Sequence, residues 1–251
     1  MSKDLQKLNK DGLAKSKAGK LDLLNINASA LTASLNDLAI PRLFYQLVIF
    51  VLDGSGSMTF PGMSGQSKGE EVENAVKKVI ERLISSKNKN SFDLSIWAYA
   101  NESVRISNII PVESFNLVQN INPCDFIQKY DGTNLISTLN SVKIECEDYL
   151  RINKAKNAQA LVVILSDGAL DEYEESSRLC NSIKNLNNTS ISSIFYESKT
   201  WQENYNVQDM VVLKKDMENL ASDSSLFTSA LDPEEIRKHM IKSISTVSKI
   251  D

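Results

Sequence analysis

The sequence holds a single histidine, His239, and only three cysteines, Cys124, Cys146 and Cys180, in 251 residues. No C-x-x-C pair occurs, which argues against a zinc ribbon or a dithiol redox motif. An odd, widely spaced set fits reduced, buried thiols better than a disulfide framework. No run approaches the roughly 20 apolar residues that a membrane-spanning helix needs. The opening residues mix lysine, aspartate and asparagine and lack the apolar core of a signal peptide, so the expected location is cytoplasmic. A net charge of −4 gives no bulk attraction to nucleic acid or anionic lipid, and neither is expected as a partner. Nucleotide binding through a Walker A loop is excluded, because neither Gly19-Lys20 nor Ser67-Lys68 has the required neighbours.

What the sequence does contain is enough apolar character, 42% of residues, for one sizeable core or for one domain with an appendage. The second arrangement is expected: an extension over residues 1–43 and a main domain over 44–251. Met1 to Lys20 is lysine-rich and aperiodic. Leu23, Leu24, Ile26, Leu31, Leu35, Leu38 and Ile40 then form an apolar series partly at helical spacing that stops at Pro41.

The main domain is organised around Leu47 to Met58. Leu47-Val-Ile-Phe-Val-Leu52 reads as a strand buried on both faces, and it breaks into Asp53-Gly54-Ser55-Gly56-Ser57. If the backbone stays extended, Asp53, Ser55 and Ser57 point to one side. A carboxylate and two hydroxyls at the C-terminal end of a buried strand lie where open α/β sheets bind ligands. Their oxygen chemistry suits a divalent cation.

A loop from Thr59 to Gly69 overhangs that point, and its flanking Glu70 and Glu71 could add a ligand. From Glu71 onward Val72, Ala75, Val76, Val79, Ile80, Leu83 and Ile84 mark an amphipathic helix. Ser91–Ala100 and Ser103–Ile110 read as an antiparallel hairpin with a short edge arm. Asp131-Gly132-Thr133-Asn134-Leu135 opens a second helix, with the Thr133 hydroxyl placed to cap it. Ala160–Leu165 is another buried strand, ending in Ser166-Asp167-Gly168. A helix over Tyr173–Leu186 and a strand over Ile191–Tyr196 follow, then a region from Trp201 to Leu213 that is ambiguous, a short strand at Met210–Leu213 being one reading, and a last strand near Phe227. Asp232-Pro233-Glu234-Glu235 is a helix start with Asp232 as N-cap. Alternating strands and helices predict an α/β fold with a mostly parallel sheet.

The three segments Asp53-Gly-Ser-Gly-Ser57, Asp131-Gly-Thr-Asn-Leu135 and Leu165-Ser-Asp-Gly168, in this order, resemble the metal-ion-dependent adhesion site of von Willebrand factor A domains. The resemblance covers about residues 44–250. It implies a Rossmann-like fold with helices on both faces of the sheet and one antiparallel edge strand. It further implies that Ser55, Ser57 and Thr133 bind magnesium through hydroxyl oxygens, with manganese as a substitute, while Asp53 and Asp167 hold it mainly through water. A partner protein's Asp or Glu would complete the coordination. Lacking a signal peptide and disulfides, the chain looks similar to the intracellular bacterial members, including those linked to tellurium resistance and stress response. The last helix, from Asp232, corresponds to the one that shifts in some members.

Other readings use the same residues. A haloacid-dehalogenase-type phosphatase would take Asp53 as nucleophile, with Thr133 on phosphate and Asp167 and Asp171 on magnesium, but Ser55 stands where that chemistry needs a second acid. A serine hydrolase would combine Ser57, Asp167 and His239. Yet no G-x-S-x-G elbow is present, and His239 falls inside a helix, where a surface position is expected. A structural subunit with a vestigial metal site is the third reading.

Overall fold

The computed structural model describes residues 42–197 and 207–248. The apolar series over Leu21–Ile40 therefore lies outside the described residues. Six strands form one sheet in the order β3-β2-β1-β4-β5-β6. They are β1 (Tyr45–Asp53), β2 (Phe92–Tyr99), β3 (Ser103–Pro111), β4 (Ala158–Ser166), β5 (Thr189–Tyr196) and β6 (Phe227–Ala230). All neighbours are parallel except the β2–β3 pair at one edge. The described helices are α1 (Lys68–Ile84), α2 (Ile136–Ile152), α3 (Tyr173–Lys184), α4 (Val207–Leu220) and α5 (Pro233–Val247).

The alternation of side chains along β1 divides the core in two. Val48, Phe50 and Leu52 pack under α1 and α5, which contribute Val72, Val76, Ile80, Ile236 and Met240. Leu47, Ile49 and Val51 face the opposite layer, where α2, α3 and α4 bring Leu139, Val142, Cys180, Ile183 and Met217. Both faces of the sheet are thus covered, which is why β1 and β4 read as unbroken apolar runs. The chain leaves β1 toward β2 on one side and returns to β4 on the other. The order of strands reverses between β1 and β4, and the C-terminal ends of these two strands flank the crevice that such a reversal opens. All three cysteines are buried free thiols, as the sequence predicts. Among the described residues no helix is long and apolar enough to cross a membrane.

Several local expectations need correction. Met210–Leu213 belongs to α4, not to a strand. The adjacent pair Val211 and Val212 imitates a strand but is exposed, while Met210, Met217 and Leu220 turn inward at helical spacing. The second arm of the hairpin is not short, since β3 spans nine residues against eight in β2. Every residue of β2 is buried, the polar ones included. Its polar groups are answered internally: Ser95 donates to the Ser107 carbonyl at 3.1 Å, Trp97 Nε1 to Glu145 Oε2 at 3.1 Å and the Tyr99 hydroxyl to the Leu165 carbonyl at 3.1 Å.

Candidate metal centre

Asp53 ends β1 and Asp167 follows β4 directly, and both side chains are fully buried. The chain does not stay extended after Asp53. Ser55 is extended, but residues Gly56–Thr59 wind into a 3-10 turn. That turn, not strand alternation, brings Ser57 back beside Ser55, with their hydroxyl oxygens 3.1 Å apart. It needs a close approach at Gly54, where a Cβ would lie 2.8 Å from both Ile127 Cγ1 and the Pro123 carbonyl oxygen.

The cluster is joined by short hydrogen bonds. The Ser57 hydroxyl donates to Asp167 Oδ1 at 2.6 Å, the Ser55 amide to Asp53 Oδ1 at 2.8 Å and the Ser166 hydroxyl to Asp53 Oδ2 at 2.7 Å. The second oxygen of Asp167 pairs with the ammonium of Lys68. Burial, and then the neighbouring Asp167, push the Asp53 carboxyl up to about 7 against the pull of its Ser55 and Ser166 hydrogen bonds. Among the described residues, two carboxyl groups therefore lie in one buried site with one ammonium, which pairs with Asp167. That leaves an excess of negative charge for an added cation to neutralise.

Thr133 lies on the loop before α2, a loop that the Gly56 amide ties to the Asp53 turn through the Tyr130 carbonyl. No hydrogen bond joins its hydroxyl to the other four predicted residues. It also does not cap α2, which begins at Ile136 with Leu135 as an N-cap lacking a side-chain bond; Asn134 Oδ1 instead accepts from the Ile136 amide at 3.0 Å. Its loop is anchored from three directions. The Gly56 amide donates to the Tyr130 carbonyl at 3.2 Å, the Asn134 amide to Ala100 at 2.9 Å and the Asp171 amide to Thr133 at 3.1 Å. Asp171 Oδ2 accepts from the Thr133 amide at 2.7 Å, over Gly132, whose φ of 99° favours glycine. Asp171 thus braces the Thr133 loop and does not join Asp167, as the phosphatase reading requires.

The acidic flank of the loop is also engaged elsewhere. α1 begins at Lys68, earlier than the apolar period suggests, because Ser67 and Glu70 form a capping box. Glu71, almost fully buried, accepts from the Ser64 amide at 2.5 Å and from the Tyr196 hydroxyl. Neither Glu70 nor Glu71 reaches the cluster by a hydrogen bond. His239 is buried, not on the surface, and its Nε2 lies 3.1 Å from Ser192 Oγ and 3.2 Å from the Leu226 carbonyl. A Ser57-Asp167-His239 triad is not assembled.

Sequence reasoning missed Ser166 and Lys68. Ser166 stood beside a predicted ligand. Lys68 had a signal: the box Ser67-x-x-Glu70 places it at the first position of a helix, where the dipole disfavours a cation. Among the described residues no group of three or more His, Cys, Asp or Glu side chains gathers to hold a metal.

The family model of the von Willebrand factor type A domain matches residues 48–238. The chain belongs to this family. Among solved structures it is similar to the pilus adhesin SpaC of Lactobacillus rhamnosus GG, with a TM-score of 0.64 and 10% identity over 81% of this chain and 30% of that one. Proximal thread matrix protein 1 of the mussel byssus, with a zinc-occupied metal-ion-dependent adhesion site motif, is similar at a TM-score of 0.55 and 14% identity. That match covers 82% of this chain and 47% of the other. Manganese-loaded TRAP protein of Plasmodium vivax gives 0.55 and 16%, over 81% and 75%. The chain thus spans less than half of the adhesin and of the byssus protein. At these identities the likeness is one of fold. No curated protein matches the chain.

Proposed function

We propose that this domain is a magnesium-dependent protein-binding module, not an enzyme, that captures an acidic side chain of a partner protein. The carrying observation is the cluster at the ends of β1 and β4, where Asp53 and Asp167 are buried with the hydroxyls of Ser55 and Ser57 between them. The donor set fits the metal chemically. Magnesium takes oxygen ligands and keeps part of its water. Ser55, Ser57 and Thr133 would offer neutral hydroxyls, and Asp53 and Asp167 would balance the charge, mainly through water. Because only two of the five groups are anionic, a bound dication would retain affinity for one external carboxylate. Zinc and manganese in the adhesion sites or structures of the byssus and Plasmodium relatives support a divalent ion in this one. A cytosolic setting, as in the bacterial stress-response members, is part of the same reading.

Calorimetry with magnesium and with manganese tests it, on wild type and on a Ser55→Ala, Ser57→Ala double variant. The expected result is one site in wild type and a loss of affinity of at least about 100-fold in the variant, each lost ligand contributing about tenfold or more. Unchanged binding in the variant would move the ion to the carboxylates alone and reopen the phosphatase reading.

A further inference from the structure

Lys68 is the charged member of the cluster that the metal-site reading does not use. Its side chain is fully buried, as is that of its partner Asp167. Lysine is almost never fully buried unless paired, and here it also stands in the first turn of α1, against the helix dipole. Two costs are accepted to bring one ammonium to one carboxylate. The same carboxylate receives the Ser57 hydroxyl on its other oxygen, so both Asp167 oxygens are engaged. The hydrogen-bond arrangement is that of a site closed around an internal cation.

We infer that Lys68 is a tethered counter-ion that competes with the divalent metal for Asp167 and so sets the metal concentration at which the site loads. This rests on the metal-binding reading above. For Asp167 to serve a dication, the Lys68 ammonium must move off Oδ2 and the Ser57 hydroxyl must turn its proton away from Oδ1. An ammonium that stays nearby repels the incoming dication, and in a buried site that repulsion is weakly screened. Lys68 therefore weakens metal affinity while keeping the two carboxylates compatible with the fold at low metal. It also gives the partner a role in loading. Lys68 and a dication against Asp53 and Asp167 leave one net positive charge, so an acidic partner group stabilises the loaded site and metal and partner favour each other's binding.

The test is manganese and magnesium titration of the full chain, wild type against Lys68→Met, by calorimetry and by thermal shift in chelator and in metal. The variant is expected to bind metal at least tenfold more tightly, to melt lower than wild type in chelator and to gain more from metal. Equal or weaker affinity in the variant, with wild type binding normally, overturns the role of Lys68 and leaves the metal site standing. Absence of binding in both proteins overturns the metal site and this inference with it. If Lys68→Met does not fold in chelator, wild type decides. Acetylation of Lys68, followed by peptide mass spectrometry, should accelerate several-fold when manganese is added, and an unchanged rate overturns the inference.

Discussion

Each end of the sheet buries aspartate, and the two ends treat it differently. At the start of β2, Asp93 accepts two hydrogen bonds from the Arg42 guanidinium, at 2.6 and 3.1 Å, and one from the Tyr149 hydroxyl at 2.8 Å. One anion meets one cation, and the cation's rim stays in solvent. At the other end, among the described residues, the single ammonium pairs with Asp167, while Asp53 accepts from the Ser166 hydroxyl and the Ser55 amide. A buried carboxylate alone does not mark a functional site, since paired ones serve the fold. What marks the β1/β4 end is the excess of carboxylates over cations, kept where the strand order reverses.

Exchanging charge for amide at each end should act in opposite directions, and this is the largest effect expected. Asp93→Asn strips the Arg42 pair and should cost about 1.5–3 kcal/mol, the range for a hydrogen bond to a charged group, while leaving metal titration unchanged. Asp53→Asn removes a buried charge that lacks its own cation. In chelator near pH 8 it should raise stability by about 1 kcal/mol and abolish the response to metal. Urea unfolding of both variants checks this. If Asp53→Asn destabilises as Asp93→Asn does, the two ends are alike and the contrast fails.

A smaller effect separates the two glycines of the site turn. Gly54→Ala drives a methyl into Pro123 and Ile127 and should cost about 1–3 kcal/mol as overpacking. Metal affinity should fall with it, because the turn carries Ser55 and Ser57. At Gly56 the nearest atom to an added Cβ is 3.8 Å away, so Gly56→Ala should stay within about 0.5 kcal/mol of wild type. Equal losses at the two positions would show that backbone freedom, not packing at Gly54, governs the site end.

These contrasts show which parts of the molecule the sequence carries openly. Leu47–Leu52 and Ala160–Leu165 are legible because strands covered on both faces must be apolar throughout, and Asp53 and Asp167 are legible because polarity there is abrupt. Asp232-Pro233 announces α5, and the structure places Asp232 Oδ1 under the Glu235 amide at 2.8 Å. What local sequence does not carry shares one cause, which is dependence on a partner distant in the chain. Arg42 and Tyr149, the partners of Asp93, lie 51 and 56 residues away in the chain. Lys68 looks like an exposed helix lysine until β4 delivers Asp167, 99 residues later. Val211 and Val212 favour a strand by local propensity, and tertiary burial of Met210, Met217 and Leu220 overrides it.

His239 provides a third buried polar group, and it extends the comparison to one that is neutral. Its Nε2 faces the Leu226 carbonyl and the Ser192 hydroxyl, and Ser192 in turn meets Ser243 at 3.0 Å. A ring with its proton on Nε2 satisfies the carbonyl, and no acid takes part in this set. Burial pushes the imidazole below its ordinary value of 6.5, and Lys242 adds to that, against the raising effect of the Leu226 bond. The folded chain therefore resists protonation while the unfolded chain accepts it. The stability this group contributes is present above about pH 6.5 and is lost as pH falls through that value, by at most about 1.4 kcal/mol per pH unit. His239→Gln keeps a donor for Leu226 without a titrating group. The drop in melting temperature between pH 7.5 and 5.5 should be smaller in His239→Gln than in wild type, the carboxylates contributing equally to both. Equal drops would mean that the ring is solvated enough to take its proton in place, and that a matched neutral cluster is no more closed than the charged one beside Asp167.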